Sequence, residues 1–276
     1  MAKNRMICYK IFRSILGPLY KLWYNPKIEG AENIPKDGRV IIVGNHVHIM
    51  DQCNVVISTK RPMFYMAKKE YFDNKKVAWF FISSGCIPVD RSRKDEIATL
   101  SALEVLKSDN VLGLFPEGTR NGLKEERAKK LYKEYFDENL SFKEFYKKIK
   151  KNKTSQVDYL EELMKKEVIS KDDFMENIYN VDKYLNILIK EKKITKNDYY
   201  EHILLPFKFG AVSMAKKTNS PILPFVITGD YKFRSKNLRV KIGKPLEPLD
   251  DLKEANERLD KTMKKMIEEN YKKWGK

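Results

Sequence analysis

Four short apolar runs rich in β-branched residues constrain this chain more than any other feature. They lie at 40–45 (VIIVGN), 111–115 (VLGLF), 222–228 (ILPFVIT) and 238–242 (LRVKI). Each is too short for a core helix and reads as a buried strand. Helical patterns lie between them, at 95–107 (DEIATLSALEVLK) and 211–217. Strands alternating with helices indicate an α/β domain. Each run gives way to polar, Gly- or Pro-containing text, where α/β sheets usually carry their sites.

From 123 to 203 the character changes: this stretch is rich in Lys, Glu and Tyr and has neither Gly nor Pro. The segment VDYLEELMKKEVISKDDFMENI from Val157 resembles VDKYLNILIKEKKITKNDYYEHI from Val181, at an offset of about 24 to 25 residues. Ser170 with Asp173, and Thr195 with Asp198, stand at N-cap and N3 spacing, where each pair can cap a new helix. Ser141 with Glu144 is a looser instance. The pattern predicts an insertion of short helical hairpins rather than one long helix. Its 19 basic and 17 acidic residues nearly cancel, so +15 of the chain's formal +17 resides in the α/β remainder. That surplus calls for an acidic partner: nucleic acid, anionic lipid headgroups or a phosphorylated substrate. No aromatic-rich RNP strand, zinc finger or recognition-helix pattern supports nucleic acid.

The first 24 residues mix Lys3, Arg5, Lys10, Arg13 and Lys21 with many bulky apolar residues. No stretch of 18 apolar residues occurs, and no small-residue cleavage site argues for a secretory signal. Wound as a helix, this segment suits the plane of a membrane interface, or alternatively packs as a first core helix. The expected organisation is therefore an amphipathic membrane-associating segment at 1–24, an α/β domain at 25–122 and 204–276, and the helical insertion at 123–203. Cys8, Cys53 and Cys86 lack CxxC spacing and read as free thiols of a reducing compartment.

Asn45-His46-Val47-His48-Ile49-Met50-Asp51 follows the first strand directly. An Asp five residues beyond a strand-end His can reach one ring nitrogen, fix the tautomer and leave the other nitrogen to accept a proton. The same pairing also serves purely structural ends. A metal site is not expected, because the only histidine besides His46 and His48 is His202, within the insertion. Phe115-Pro116-Glu117-Gly118-Thr119-Arg120 follows the second strand. Gly118 allows close backbone approach, Thr119 offers a hydroxyl and Arg120 a planar bidentate donor, which together suit a phosphate monoester. A turn with an exposed Arg accounts for the same letters.

These residues carry a resemblance. NHVHIMD resembles the NHx4D motif of the glycerolipid acyltransferase family, and FPEGTR matches that family's motif letter for letter. Gly85-Cys86-Ile87-Pro88-Val89-Asp90-Arg91 looks like its G-x-I-x-V-x-R element, and Pro221-Ile222-Leu223-Pro224 like its late proline-containing strand. Echoes occur at 28–35, 67–70, 206–211 and 242–245, so the likeness covers about 20–122 and 204–248.

The resemblance, to lysophosphatidic acid (1-acyl-sn-glycerol-3-phosphate) acyltransferases in particular, implies a single α/β domain with a mainly β core sheet flanked by helices. It implies acyl transfer from acyl-CoA or acyl carrier protein, with no cofactor, to the free hydroxyl of a lysophospholipid, giving phosphatidic acid. His46 would deprotonate that hydroxyl and Asp51 would orient the imidazole. Arg91, Arg120 and Lys68 would bind the acceptor's phosphate, with Glu117, Gly118 and Thr119 shaping the site. An anionic membrane surface at the cytoplasmic face would be the partner. Other acceptors, such as glycerol 3-phosphate or another lysolipid, fit the same letters, and so does a catalytically silent membrane-binding protein on this fold. Two features depart from the pattern. His48 stands where the family often has a small polar residue, and the insertion after Gly122 replaces a short loop; a lid, a carrier-protein dock and a passive elaboration all remain open for it.

Overall fold

The computed structural model describes residues 6–90, 92, 95–136 and 141–274. Among them, seven strands form one sheet: β1 (Lys27–Glu29), β2 (Val40–Gly44), β3 (Met63–Lys68), β4 (Cys86–Val89), β5 (Val111–Leu114), β6 (Ile222–Thr228) and β7 (Arg239–Ile242). Their order is β1-β7-β6-β2-β5-β3-β4, and every neighbouring pair is parallel except β6 with β7. All five residues of β2 are buried, which explains its unbroken apolar text: a central parallel strand is covered on both faces.

The helices are α1 (Ile7–Ile11), α2 (Gly17–Tyr24), α3 (Asp51–Val56), α4 (Glu70–Asp73), α5 (Lys75–Ser83), α6 (Glu96–Lys107), α7 (Glu125–Tyr135), α8 (Phe142–Ile149), α9 (Thr154–Lys165), α10 (Lys171–Asn177), α11 (Val181–Lys190), α12 (Lys196–Glu201), α13 (Gly210–Thr218) and α14 (Leu252–Trp274). Val40 and Ile42 share a core with Met6, Tyr9, Val55, Val56 and Phe225. Helix α13 packs on β2 and β6, α6 on β3, β4 and β5, and α14 on β6 and β7. Asp95 caps α6 by accepting from the Ala98 amide at 2.9 Å, the boundary its sequence pattern implies.

Three strands escape the hydrophobic pattern for visible reasons. β1 has three residues, β3 (MFYMAK) lacks β-branched side chains, and β4 (CIPV) carries Pro88. β4 is an edge strand, where a proline's missing amide hydrogen is tolerated. The N-terminal helix also differs from one continuous α-helix. Between α1 and α2 the chain makes a wide π-helical turn at Phe12–Leu16. Pro18 brings no amide to the ladder there, and the turn relaxes around it.

Residues 119–206 form a separate compact unit, and the rest of the chain is the other. The helical unit holds α7 to α12. Its entry and exit are pinned together, since Asn121 Nδ2 donates to the Ile203 carbonyl at 3.1 Å and to Ser155 Oγ at 3.0 Å. The sequence repeat is a repeat of structure. Helices α9 and α11 each end at a residue of positive φ, Glu167 and Lys192, both at 59°. Ser170–Asp173 and Thr195–Asp198 then form complete capping boxes that start α10 and α12. Phe174 and Tyr199 are buried at matching places.

Candidate active site

Five parallel strands, β2 to β6, end at the same edge of the sheet, and their C-terminal ends deliver the polar segments of the sequence. Asn45, the first residue beyond β2, locks that strand end to its neighbour. Its side-chain amide donates to the Ile227 carbonyl at 3.0 Å and accepts from the Ile227 amide at 2.7 Å. The next residue is His46. Its backbone amide donates to Glu117 Oε1 at 2.8 Å, so the segments after β2 and β5 are joined side by side. The His46 ring stacks on Phe115, with centroids 4.1 Å apart and planes 14° from parallel.

The chain then turns into α3, and Asp51 in its first turn points back. Asp51 is fully buried, and Oδ2 lies 2.8 Å from His46 Nδ1. The same oxygen accepts from the amides of Val47 at 2.7 Å and His48 at 2.8 Å. Oδ1 accepts from the Tyr231 hydroxyl at 2.7 Å. A buried carboxylate needs such donors, each contributing about 1.5–3 kcal/mol when the acceptor is charged. With two amides and a hydroxyl already donating to it, the carboxylate serves as an acceptor, so His46 Nδ1 carries the hydrogen and Nε2 keeps the free lone pair.

Around this pair lies a cavity of about 280 Å³, lined by His46, Met66, Val89, Phe115, Lys208 and Met214 among others. It is mostly apolar, with Asp90, Asp95, Thr99 and Lys208 as its polar members beside His46, and so suits an apolar chain with a polar end. Neither Cys53 nor Cys86 is a nucleophile at neutral pH. Burial, and then the adjacent Asp51, push Cys53 up to about 12, and burial alone pushes Cys86 up to about 12. Among the described residues no group of three or more His, Cys, Asp or Glu gathers to hold a metal ion.

The other residues expected at the site are placed unequally. Glu117 is buried with its carboxylate on the His46 amide, where it shapes the loop. Gly118 adopts φ +68°, and a Cβ there would come within 2.8 Å of Lys208 Cε. Thr119 and Arg120 open the helical unit, directly following Gly118 in the chain. Lys68 ends β3 in an ion pair with Glu70 at 2.6 Å and is not among the described residues lining the cavity. Arg91 lies outside the described residues. His48 stacks on Tyr231, with centroids 4.2 Å apart, and its Nδ1 lies 3.3 Å from the Met50 amide.

Two contributors were missed in the sequence. Lys208 stands in PFKFGA, just past the insertion, and its amide donates to the Pro116 carbonyl at 2.9 Å. That segment was visible as an echo of the family, and the lysine within it was the overlooked signal. Tyr231, 180 positions from Asp51, gives no local signal at all.

The profile of the acyltransferase family matches residues 25–228, well over half of the 276-residue chain. The chain belongs to the acyltransferase family. Relatives of this acyltransferase-family chain include proteins named 1-acyl-sn-glycerol-3-phosphate acyltransferase. That of Borreliella burgdorferi is 36% identical over 96 residues, 34% of this chain and 38% of its own length. That of Bacillus subtilis is 30% identical over 113 residues, 41% of this chain and 57% of its own. That of Streptococcus pneumoniae is 33% identical over 106 residues, 37% and 40% respectively. The aligned stretches thus span well under two thirds of each relative. The crystal structure of a 1-acyl-sn-glycerophosphate acyltransferase from Thermotoga maritima superposes with a TM-score of 0.58. It covers 97% of this chain and 81% of its own at 20% identity, a likeness of fold.

Proposed function

We propose that this protein transfers a fatty acyl group from acyl-CoA or an acyl carrier protein to the free hydroxyl of 1-acyl-glycerol 3-phosphate, giving phosphatidic acid, at the cytoplasmic surface of a membrane. The observation that carries the reading is His46, held by a fully buried Asp51 at 2.8 Å and set in the wall of an apolar cavity. His46 Nε2 takes the proton of the acceptor hydroxyl as its oxygen attacks the thioester carbonyl. The tetrahedral intermediate then expels the thiolate, the C–S bond breaks, and Nε2 returns the proton to sulfur. Asp51 stabilises the imidazolium in between and keeps its charge throughout. The stacked Phe115 holds the ring plane while this happens.

A cation in the cavity and others in the motifs favour a phosphorylated acceptor. Lys208 lines the same cavity as His46, Lys68 is the last residue of β3, and Arg91 and Arg120 follow β4 and β5 in the sequence. Membrane association rests on how the N-terminal segment is turned. Its tyrosines Tyr9 and Tyr20 go inside, whereas Ile7, Ile11, Ile15, Leu16, Leu19, Leu22 and Trp23 are exposed. Trp79, Phe80 and Ile82 of the adjoining α5 are exposed as well. Seven bulky side chains on one segment, at roughly 2 kcal/mol each if buried, are too costly to leave in water without a lipid or protein cover. Lys10, Arg13 and Lys21 flank them, which fits an anionic interface. No described helix is long and apolar enough to cross a membrane.

The test is an acceptor panel. Purified protein in mixed micelles receives oleoyl-CoA with 1-acyl-glycerol 3-phosphate, glycerol 3-phosphate, or lysolipids bearing other headgroups. Labelled phosphatidic acid should dominate the products. Turnover of glycerol 3-phosphate or an unphosphorylated lysolipid in preference would reassign the acceptor.

A further inference from the structure

Asp51 is the end of a buried hydrogen-bond chain that begins on the N-terminal helix. The Tyr20 hydroxyl, on α2, donates to Asn54 Oδ1 at 2.9 Å. Asn54 Nδ2 donates to the Tyr231 oxygen at 2.7 Å, and to the Asp51 carbonyl at 3.3 Å. The Tyr231 hydroxyl, its oxygen already accepting from Asn54, sends its own proton to Asp51 Oδ1 at 2.7 Å. The direction of every bond follows: Asp51 can only accept, so each partner upstream must donate toward it. Asn54 is fully buried and Tyr20 nearly so. Burial and the Asp51 charge hold the Tyr231 phenol far above its ordinary range, so it stays a donor at every working pH.

The loop that carries Tyr231 is fastened to the same helix. The Arg234 amide donates to the Trp23 carbonyl at 2.6 Å, and the Asn25 side chain donates to the Ser235 carbonyl at 3.3 Å. Phe233 packs edge-on against Trp23, with centroids 4.8 Å apart. The Tyr24 ring stands edge-on to Tyr231, and the His48 ring stacks on it. Helix α2 and loop 229–237 therefore present apolar tips outward and hydroxyl groups toward Asp51.

We infer that Tyr231, Asn54 and Tyr20 are positioning residues of the reaction, which fix the plane of the Asp51 carboxylate and through it the His46 ring, so that the N-terminal helix serves turnover as well as lipid binding. The inference rests on reading His46 as the base. With Oδ1 anchored by Tyr231, Oδ2 is left facing the Val47 and His48 amides and the His46 ring together. Without that anchor the carboxylate can rotate.

The experiment uses the full chain with water-soluble substrates, hexanoyl-CoA and 1-hexanoyl-glycerol 3-phosphate, so that membrane binding plays no part. Tyr231→Phe keeps the ring and removes the hydroxyl. Its kcat should fall about tenfold, with KM for both substrates within about twofold. Tyr20→Phe, two bonds further away, should lower kcat about threefold, and it decides the matter if Tyr231→Phe does not fold. Unchanged kcat would overturn the inference, as would a rise in KM with kcat intact. A wild type that turns over neither substrate counts against the acceptor assignment, not against this network. The downfield Nδ1 proton of His46 in the NMR spectrum is then the readout: broadened in Tyr231→Phe if the network holds Asp51, identical to wild type if it does not.

Discussion

His46 and Asp51 are five residues apart, and a strand end followed at once by a helix is all their meeting needs. That is why they were legible in the sequence. Tyr231 and Lys208 were not, because they reach the site through the sheet: β6 lies beside β2, and the Lys208 amide is bonded to Pro116 across an insertion of some eighty residues. Lys208 carries the first prediction. Lys208→Met keeps the stem that passes Gly118 and removes the charge. KM for the phosphorylated acceptor is expected to rise about tenfold or more, with KM for the acyl donor little changed. Equal effects on donor and acceptor in steady-state kinetics would place the lysine elsewhere in the reaction.

At the scale of elements, the N-terminal helix and the capping boxes make separate claims. Leu22 and Trp23 are 67% and 55% exposed on α2. The double change Leu22→Glu with Trp23→Glu should weaken sedimentation with anionic vesicles by about a hundredfold, from the apolar burial lost. Unaltered binding would show that this face is not the one in lipid. In the insertion, Thr195→Ala removes one cap and should lower the unit's stability by about 1 kcal/mol in urea unfolding. The hydrogen bonds from the Thr195 hydroxyl, then from its backbone amide, hold Asp198 below the usual carboxylate range. Because that value is depressed in the fold, the cap contributes above the unfolded carboxylate range and is lost as pH falls below roughly 4. Urea midpoints of wild type and Thr195→Ala should therefore converge as the pH is lowered. These caps were readable because their signal spans three residues. β3 and β4 were not, since their strand character comes from neighbours in the sheet and not from their own side chains.

At the scale of the molecule, charge and folding divide along the same line. The helical unit is nearly neutral, and the basic surplus lies on the sheet-bearing unit with His46. The core around β2 draws all its members from that unit, and Asn121 with Ile203 closes the neck of the other. Replacing residues 123–203 by a short linker should leave a protein that unfolds cooperatively, as followed by circular dichroism; a non-cooperative melt would show that the core needs the insertion. The central claim is narrower and concerns one nitrogen. Transfer of labelled oleoyl from oleoyl-CoA to 1-acyl-glycerol 3-phosphate is measured for wild type and for His46→Ala, both shown to be folded. Expected is labelled phosphatidic acid from wild type and a loss of about a thousandfold or more in kcat for the variant. Full transfer by His46→Ala would contradict the assignment of His46 as the base.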